Sequence, residues 1–280
     1  MTRPRHAAGM AELVEVADIF LLDQYGVLHD GERPYPGVLE CLERLAAAGR
    51  KLAVLSNSGK PAEANRKRLE RLGLPSRHFS AVITSGEVAR HILQDSVDPW
   101  VAEQGTRCLL LTRGTERSLL EGLELEPVES AEAADFVLLA GCDLEVGDDM
   151  GDYQARLGPA LARNLPLLCV NPDRWRVDPK GLAFSSGSLA AWYEAAGGRV
   201  RWLGKPYPEI YAFARRLLGP GRLLAVGDSL EHDIAGAAAA GLETALVRTG
   251  VNARCNDEEL ARLFEQEGCR PNWLLPAFRW

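Results

Sequence analysis

The sequence predicts an α/β protein with a doubly wound, mostly parallel sheet and a second, inserted α/β domain. Short apolar runs typical of buried strands alternate with stretches whose apolar residues recur at helical spacing. The alternation breaks at Gln94–Gly105, which contains aspartates, a proline and a glycine, and it resumes near Arg199. We therefore expect a flexible leader over residues 1–16, a core over residues 17–90 and 200–280, and an inserted domain over residues 91–199.

The first half of the core is predicted to contain three strands and three helices. The strand Ile19–Leu22 ends at Asp23, and Gly26 allows the chain to turn soon afterwards. The elements that follow are a helix at Pro36–Ala48, a strand at Lys51–Leu55, a helix from Pro61 to Leu72, a strand at Ala81–Ile83 and a helix at Glu87–Leu93. Gly49 and Gly73 end the first two helices at the usual capping position.

The inserted domain and the second half of the core continue the alternation. In the inserted domain we expect strands at Arg107–Thr112, Asp135–Ala140 and Pro166–Val170, helices near Glu116–Gly122, over Asp149–Asn164 (kinked or split at Gly158-Pro159) and at Ser188–Ala196, and a loop or hairpin over Asn171–Ser188. In the core we expect strands at Arg199–Leu203, Arg222–Val226 and Glu243–Val247, an edge strand within Trp273–Phe278, and helices at Pro208–Leu218, Asp233–Ala240 and Asp257–Glu267.

Composition restricts the partners and the compartment. The 280 residues carry 39 acidic and 32 basic side chains, a net charge of −7, which argues against nucleic acid as the main partner. No apolar run is long enough to span a bilayer, and the N-terminal segment lacks the apolar core of a secretory signal, so no membrane partner is expected. Six dispersed cysteines without a Cys-x-x-Cys pair predict reduced thiols, a cytoplasmic protein and no zinc site.

Three polar side chains stand where predicted strands end. Asp23, Ser56 and Asp228 come from distant parts of the chain, yet the carboxyl ends of parallel strands meet at one edge of a sheet. Each residue taken alone is also explained as a turn or helix-cap residue. Their common placement favours a functional site, in which Asp23 is either a nucleophile or a metal ligand.

Other residues near these strand ends supply the groups that a phosphate site needs. Ser56 and Asn57 offer a hydroxyl and amide groups to phosphate oxygens, and Lys205 offers a point charge. Asp228 and Asp233 place two carboxylates around a helix start, and oxygen ligands of this kind suit Mg²⁺.

On these residues the chain resembles the haloacid dehalogenase superfamily of phosphohydrolases, in subclass IIA, which includes NagD-like ribonucleotide monophosphatases and p-nitrophenyl phosphatases. The matching motifs are Asp23-x-x-Gly26-Val27, Leu55-Ser56-Asn57, Lys205 and Gly227-Asp228-x4-Asp233, with Thr84-Ser85-Gly86, Val170-Asn171-Pro172-Asp173 and Gly204-Lys205-Pro206-x-x-x-Ile210-Tyr211 typical of the subclass. The similarity runs from about Ala17 to Phe278 and implies a Rossmann-like core whose inserted domain is a cap.

The resemblance also implies a mechanism. Asp23 would attack the phosphorus of a small phosphorylated metabolite and form an aspartyl-phosphate. Mg²⁺ would be held by Asp23, the backbone carbonyl of Tyr25 and Asp228, with Asp233 in the outer shell. Lys205, together with Ser56 and Asn57, would hold the transferring oxygens. A homodimer formed through the cap is compatible with the subclass.

The inserted domain offers one candidate substrate contact of its own. Asp173-Arg174-Trp175 would give a cap an aromatic surface and a cation suited to an anionic or planar substrate group. Arginine and tryptophan on a loop are also common as surface and packing residues, and that alternative stays open.

Tyr25 departs from the family pattern, because phosphatases of the superfamily carry an acid–base aspartate at that position. Tyrosine, with a pKa of about 10, is a poor general base near neutrality, and losing such a group lowers rates roughly a hundred- to ten-thousand-fold. Three hypotheses follow. The protein is a Mg²⁺-dependent phosphatase that uses good leaving groups or borrows an acid such as His29, Asp30 or a cap residue; it is a phosphate-binding or regulatory protein with a vestigial site; or it catalyses phosphoryl transfer or phosphonate cleavage.

Overall fold

The computed structural model describes residues 3–95, 98–178 and 180–280, which form two compact units. The core unit comprises Met1–Ser56, Ala62–Ile83 and Lys205–Trp280, and the inserted unit comprises Asn57–Pro61 and Thr84–Gly204. Met1 and Thr2 of the predicted leader, Ser96 and Val97 of the predicted interruption, and Pro179 of the predicted loop lie outside the described residues.

The helices and strands alternate along the described residues as the sequence predicts. The strands are β1 (Arg5–His6), β2 (Ile19–Leu22), β3 (Lys51–Ser56), β4 (Ala81–Thr84), β5 (Arg107–Leu111), β6 (Glu126–Val128), β7 (Phe136–Leu139), β8 (Leu167–Cys169), β9 (Trp175–Asp178), β10 (Gly181–Phe184), β11 (Val200–Trp202), β12 (Leu223–Gly227), β13 (Glu243–Val247) and β14 (Trp273–Leu275). The helices are α1 (Val38–Ala47), α2 (Ala62–Arg71), α3 (Ser85–Gln94), α4 (Pro99–Ala102), α5 (Gly151–Ala162), α6 (Ser186–Ala195), α7 (Pro208–Leu218), α8 (Gly236–Ala239) and α9 (Asp257–Gln266).

The core sheet has the strand order β1-β14-β13-β12-β2-β3-β4, and the pairs from β1 to β3 are parallel. The strand β2 is buried along its whole length, as its unbroken apolar sequence requires in a sheet covered on both faces. Its register pairs Leu22 with Val226 of β12 and with Val54 of β3. The residues that follow these three strands therefore leave the sheet at one edge, as expected.

The inserted unit has its own parallel sheet with the order β11-β8-β7-β5-β6. Its apolar core packs β5, β7 and β8 against α5 and α6 and includes the fully buried Tyr193. The antiparallel pair β9–β10 confirms the hairpin that the loop prediction allowed. The α/β class and the mostly parallel sheets are as the sequence predicted.

The prediction of a flexible leader is wrong for the part that the structure describes. Strand β1 pairs with β14, and Met10 and Leu13 are fully buried in the core cluster. Strand β14 consequently lies between β13 and β1 and is not the predicted edge strand. These elements are too short for a sequence period to emerge, and their burial depends on the sheet already being in place.

The unit boundaries also differ from those predicted. Strand β11 was expected to begin the return to the core, but it pairs with β8 in the inserted sheet, and the core resumes at Lys205. Helix α3 was also expected in the core and belongs to the inserted unit. The pattern of a strand shows that it is buried, but it does not show which sheet it joins.

Three smaller predictions need correction, and one strand was not predicted. The helix expected near Glu116–Gly122 is a single 3₁₀ turn at Ser118–Leu120, and α5 continues through Pro159 as one helix and is not split there. The alanine-rich helix consists of a π-helical segment, Leu230–Ala235, followed by α8. Strand β6 was missed because its central residue is a proline, which a strand at the edge of a sheet tolerates.

Among the residues that the structure describes, no helix combines the length and apolarity needed to cross a membrane.

Candidate active site

Asp23 follows β2 at the carboxyl edge of the core sheet. Its backbone N–H donates to the Val226 carbonyl at 2.9 Å, which continues the ladder to β12 by one residue. Gly26 then turns the chain with φ of 91°, in the left-handed region. A Cβ on Gly26 would lie 2.2 Å from the Asp228 Oδ2 atom. The glycine therefore serves both the turn and the close approach of Asp228.

Lys205 joins two of the predicted carboxylates. Its Nζ atom lies 2.5 Å from Asp23 Oδ1 and 2.6 Å from Asp233 Oδ1, and the residue is only 4% exposed. Burial alone would lower the pKa of the Lys205 ammonium, but the carboxylates of Asp23 and Asp233 outweigh it and raise the pKa. Lys205 is thus a fixed cation beside the candidate nucleophile.

Asp228 is a buried acid of the site whose pKa is perturbed. Burial raises its pKa well above the usual range, and the negative charges of Asp23 and Asp233 raise it further. One carboxylate oxygen accepts a hydrogen bond from the Val251 backbone N–H at 2.7 Å, which partly offsets these effects. A buried acid held among other acids favours a bound cation, because a cation removes the cost of ionising it.

The loop after β13 supports this arrangement and was not predicted from the sequence. The Asn252 side-chain amide donates to the Asp228 backbone carbonyl. The Thr249 hydroxyl donates to the Gly26 carbonyl at 2.5 Å. Examining the end of β13 in the same way as the ends of β2, β3 and β12 would have identified Thr249 and Asn252.

Asp233 enters the site from the π-helical segment after β12. Its Oδ2 atom accepts a hydrogen bond from the Ser229 backbone N–H at 3.0 Å, while its Oδ1 atom faces Lys205. A Cβ on Gly227 would lie 2.1 Å from the Asp233 Cβ atom. Gly227 therefore lets the Asp233 side chain pack closely against the end of β12.

The donor set fits a divalent cation. Among the described residues, Asp23, Asp228 and Asp233 place carboxylate oxygens within 4.8 Å of one another. With all three ionised, the single positive charge of Lys205 leaves two negative charges uncompensated. Ligands that are all oxygen suit Mg²⁺ or Ca²⁺ and do not suit a structural zinc site. The predicted metal ligands therefore lie together, apart from the Tyr25 carbonyl, whose role stays a prediction.

Tyr25 and its neighbours offer no replacement acid–base group. Burial raises the pKa of Tyr25, and the charges of Asp30 and Asp228 raise it further. Its ring packs edge-on against His29, with the ring centroids 6.0 Å apart. Burial and, to a lesser degree, Arg68 lower the pKa of His29 to about 4, so His29 is neutral at pH 7.

Asp30 is occupied by its own turn. One carboxylate oxygen accepts hydrogen bonds from the backbone N–H groups of Glu32 and Arg33, both at 2.9 Å. The Arg33 and Glu32 bonds lower the pKa of Asp30, which is therefore ionised near neutrality. His29 and Asp30 were the two named candidates for a substitute acid, and near pH 7 His29 is neutral and Asp30 is ionised.

Ser56 ends β3 next to β2, and two further residues hold it. The Gln24 Nε2 atom lies 2.5 Å from Ser56 Oγ and 3.2 Å from Asn65 Oδ1 of α2. All three side chains are buried. Gln24 and Asn65 were not predicted from the sequence, although an asparagine one turn before Leu69, on the buried face of α2, was a signal.

The remaining predicted residues belong to the inserted unit. The Asn57 side-chain amide donates to the Asp173 carboxylate at 2.7 Å. Arg174 is exposed, and its carbonyl accepts the Ser188 hydroxyl at 2.6 Å. Trp175 is 50% exposed and stacks on Phe184 with ring centroids 4.5 Å apart. The phosphate-binding role of Asn57 and the substrate roles of Asp173, Arg174 and Trp175 stay predictions.

The chain matches known proteins over most of its length. Residues 20–126 match the family model described as haloacid dehalogenase-like hydrolase, and residues 202–278 match a second model for HAD-like hydrolases. Chronophin from Bos taurus is 34% identical over 258 residues, covering 88% of this chain and 86% of chronophin. A D-glycerol 3-phosphate phosphatase from Mycobacterium tuberculosis is 29% identical over 246 residues, covering 87% of this chain and 66% of the relative.

Solved structures agree with these matches. A haloacid dehalogenase-like hydrolase from Brucella suis 1330 has a TM-score of 0.83 at 29% identity and covers 97% of this chain and 99% of its own. The glycerol phosphate phosphatase of Mycobacterium tuberculosis, crystallised in complex with magnesium, has a TM-score of 0.67 at 27% identity and covers 94% of this chain and 75% of its own.

Proposed function

The chain belongs to the haloacid dehalogenase-like hydrolases, as an enzyme of the phosphoric monoester hydrolase type, and from this premise we propose that it hydrolyses a small phosphate ester with Mg²⁺ through an aspartyl-phosphate on Asp23. One observation carries the proposal: the buried Lys205 ammonium bridges Asp23 and Asp233 beside the buried Asp228. This arrangement fixes a carboxylate nucleophile and leaves negative charge for a divalent cation to balance.

The reaction divides one difficult displacement into two steps. An Asp23 carboxylate oxygen attacks phosphorus, and the bond from phosphorus to the ester oxygen breaks as the leaving group departs with its electron pair. Water then attacks the same phosphorus, the bond from phosphorus to the Asp23 oxygen breaks, and the protons of that water stay on the released inorganic phosphate as the Asp23 carboxylate is restored. Lys205 orients Asp23 and offsets charge on the phosphoryl oxygens, and the Ser56 hydroxyl donates a hydrogen bond to one of them.

The metal complements these residues. Mg²⁺ held by the carboxylates of Asp23 and Asp228 and the carbonyl of Tyr25, with Asp233 outside them, would neutralise charge that develops on the phosphoryl group. The magnesium complex of the Mycobacterium tuberculosis phosphatase supports this choice of metal. The inserted unit is the proposed source of substrate selectivity, through Asp173, Arg174 and Trp175.

The testing experiment is a panel of phosphate esters assayed with Mg²⁺, including glycerol 3-phosphate because of the glycerol phosphate phosphatase among the relatives. Turnover of at least one ester by the wild type, with loss of about a thousandfold or more in Asp23→Asn, supports the proposal. Asp18→Asn is the matched control, since Asp18 lies at the opposite end of β2 and binds Arg222. Full activity in Asp23→Asn would overturn the proposal.

Tyr25 supports one alternative, a phosphate-binding or regulatory protein with a vestigial site. Because the pKa of Tyr25 is raised, its phenol is a weaker acid than free tyrosine and donates a proton to a leaving group less readily. Metal-dependent binding of inorganic phosphate, measured by calorimetry, without turnover of any ester in the panel would favour this alternative.

A further inference from the structure

Gln24 is a buried amide side chain directly after the candidate nucleophile, and no step of the proposed reaction uses it. It is 6% exposed, although glutamine is rarely fully buried. Its side chain points to Ser56 and Asn65, which are each 4% exposed. The three residues come from the end of β2, the end of β3 and helix α2.

The hydrogen bonds fix which way the Ser56 hydroxyl points. A glutamine amide nitrogen carries two hydrogens, and Gln24 directs one to Ser56 Oγ at 2.5 Å and the other to Asn65 Oδ1 at 3.2 Å. Because Ser56 Oγ accepts from Gln24, its own hydrogen is directed away from Gln24. A hydroxyl held in this way is prepared to donate.

Asn65 sets the polarity of this arrangement. Its side-chain oxygen faces the Gln24 nitrogen, so the Gln24 amide is held with its nitrogen, rather than its oxygen, toward Ser56. If the Gln24 amide were rotated by half a turn, its oxygen would face the Asn65 side-chain oxygen. The Ser56 hydroxyl would then donate its hydrogen to the Gln24 oxygen. In the observed orientation both amide hydrogens of Gln24 have acceptors, while its Oε1 atom is buried with no hydrogen-bond partner among the described residues.

We propose that Gln24 is a positioning residue that keeps the Ser56 hydroxyl as a hydrogen-bond donor to an oxygen of the transferring phosphoryl group, with Asn65 fixing the Gln24 amide. This inference rests on the proposed function of the site. Charge on the phosphoryl oxygens changes during transfer, so a donor held in advance contributes to kcat. Gln24 thus affects the reaction through Ser56.

A double-mutant cycle tests the proposal, with Mg²⁺ and p-nitrophenyl phosphate. Gln24→Met keeps the length of the side chain and removes its donors, and we expect kcat to fall by about tenfold with little change in KM. In a Ser56→Ala background the same change is expected to cost less than about twofold, because the hydroxyl that Gln24 orients is gone. Gln266→Met, at an exposed position of α9, is the matched control and is expected to keep the wild-type kcat.

A second double-mutant cycle combines Asn65→Leu with Gln24→Met. It tests the positioning role if the double variant of Gln24→Met and Ser56→Ala does not fold. Asn65→Leu is expected to lower kcat by a few fold in the wild type and to have no further effect once Gln24 is methionine. Equal losses in both backgrounds of either cycle, or an unchanged kcat in Gln24→Met, would overturn the positioning role. Thermal unfolding of every variant, followed by circular dichroism, shows whether a change in kcat comes from loss of the folded state.

The readout also separates this inference from the proposed function. If the wild type turns over no ester, the first cycle is measured as the Kd for inorganic phosphate with Mg²⁺. Coupling between Gln24→Met and Ser56→Ala in that Kd would support the positioning role while the phosphatase proposal fails. A wild type that neither turns over an ester nor binds phosphate would overturn both.

Discussion

At the residue scale, Tyr25 is the residue on which we expect the choice of phosphate ester by the proposed enzyme to depend. The site holds the proposed nucleophile, a fixed cation and the proposed ligands for a metal, yet the position where the family resemblance implies an acid–base aspartate holds a phenol with a raised pKa. His29 is neutral and Asp30 is ionised near pH 7, so the departing oxygen has no acid among these residues. Leaving groups that depart without a proton should therefore react fastest.

The first prediction concerns Tyr25→Asp. The wild type should hydrolyse p-nitrophenyl phosphate far faster than an alkyl phosphate, and the substitution should raise kcat/KM for the alkyl ester by about a hundredfold. Tyr25→Asn is the control, because asparagine is similar in size to aspartate but has no carboxyl group. It should give no such gain in kcat/KM. Equal wild-type rates on the two esters, measured by phosphate release, would contradict the inference that the site lacks an acid for the leaving group.

Three of the site residues that the sequence predicted share one property. Asp23, Ser56 and Asp228 each follow a long apolar strand, and the parallel order of the sheet brings strand ends together. Gln24, Asn65 and Asn252 act on these residues through buried hydrogen bonds. Such contacts join positions that are distant in the sequence, and a single sequence gives no distances between them.

At the element scale, Asp98 fastens a short helix to the edge strand β11 within the inserted unit. It caps α4 by accepting hydrogen bonds from the backbone N–H groups of Trp100 and Val101. It also accepts two hydrogen bonds from the Arg201 guanidinium, at 2.7 and 3.0 Å. The Arg201 hydrogen bonds lower the pKa of Asp98, against the opposing effect of burial.

The second prediction follows from this cap. Asp98→Ala should lower the free energy of unfolding at pH 7 by about 2 kcal/mol, through loss of the cap and of the Arg201 pair. Because the pKa of Asp98 is lower when folded than when unfolded, its stabilisation is present above about pH 4 and is lost as the pH falls through the folded pKa. The difference in the free energy of unfolding between wild type and Asp98→Ala, measured with urea, should become smaller below pH 4.

Glu258→Gln is the control for this measurement. Glu258 and Arg262 form an exposed pair on α9 with a separation of 3.6 Å, and such pairs contribute less than about 1 kcal/mol. A loss in Glu258→Gln as large as that in Asp98→Ala, or a gap that does not depend on pH, would contradict the assignment to Asp98.

Elements were predictable where their own pattern was long enough. Helix α1 buries Val38, Cys41, Leu42 and Leu45 at helical spacing and was predicted almost to its bounds. The short β1, β6 and the 3₁₀ turn at Ser118–Leu120 were missed or misassigned. Their conformations depend on the sheet or loop beside them, because few residues carry too little local preference.

At the scale of the whole molecule, the sequence predicted two α/β units but placed their boundaries differently. The alternation of strands and helices along the chain establishes the α/β class. Which sheet β11 joins depends on its pairing with β8, and the residues of β11 alone do not encode that pairing. The buried Met10 and Leu13 likewise show that the N-terminal segment completes the core.

The third prediction concerns metal and stability. The net charge of −7 includes three carboxylates gathered at one sheet edge, so a divalent cation that binds only the folded chain should stabilise it. At a hundredfold excess over its Kd, Mg²⁺ should add about 2.7 kcal/mol and raise Tm by a few degrees. Calorimetric melts of wild type and Asp228→Asn, with and without Mg²⁺, measure this effect.

In Asp228→Asn the Mg²⁺-dependent rise in Tm should disappear. Asp148→Asn serves as the control, because that acid lies in the inserted unit and accepts a hydrogen bond from the Glu145 backbone N–H. A Tm rise of the same size in Asp228→Asn as in the wild type would show that the cation binds elsewhere.

The central claim is that Asp23 accepts the phosphoryl group before water does. The stereochemical course at phosphorus tests it most directly, using an aryl phosphorothioate in which sulfur and two different oxygen isotopes make phosphorus chiral, hydrolysed in water enriched in the third oxygen isotope. Two successive in-line displacements, the first by Asp23 and the second by water, predict overall retention of configuration in the released thiophosphate. Inversion would mean that water attacks the ester directly, and it would contradict the account.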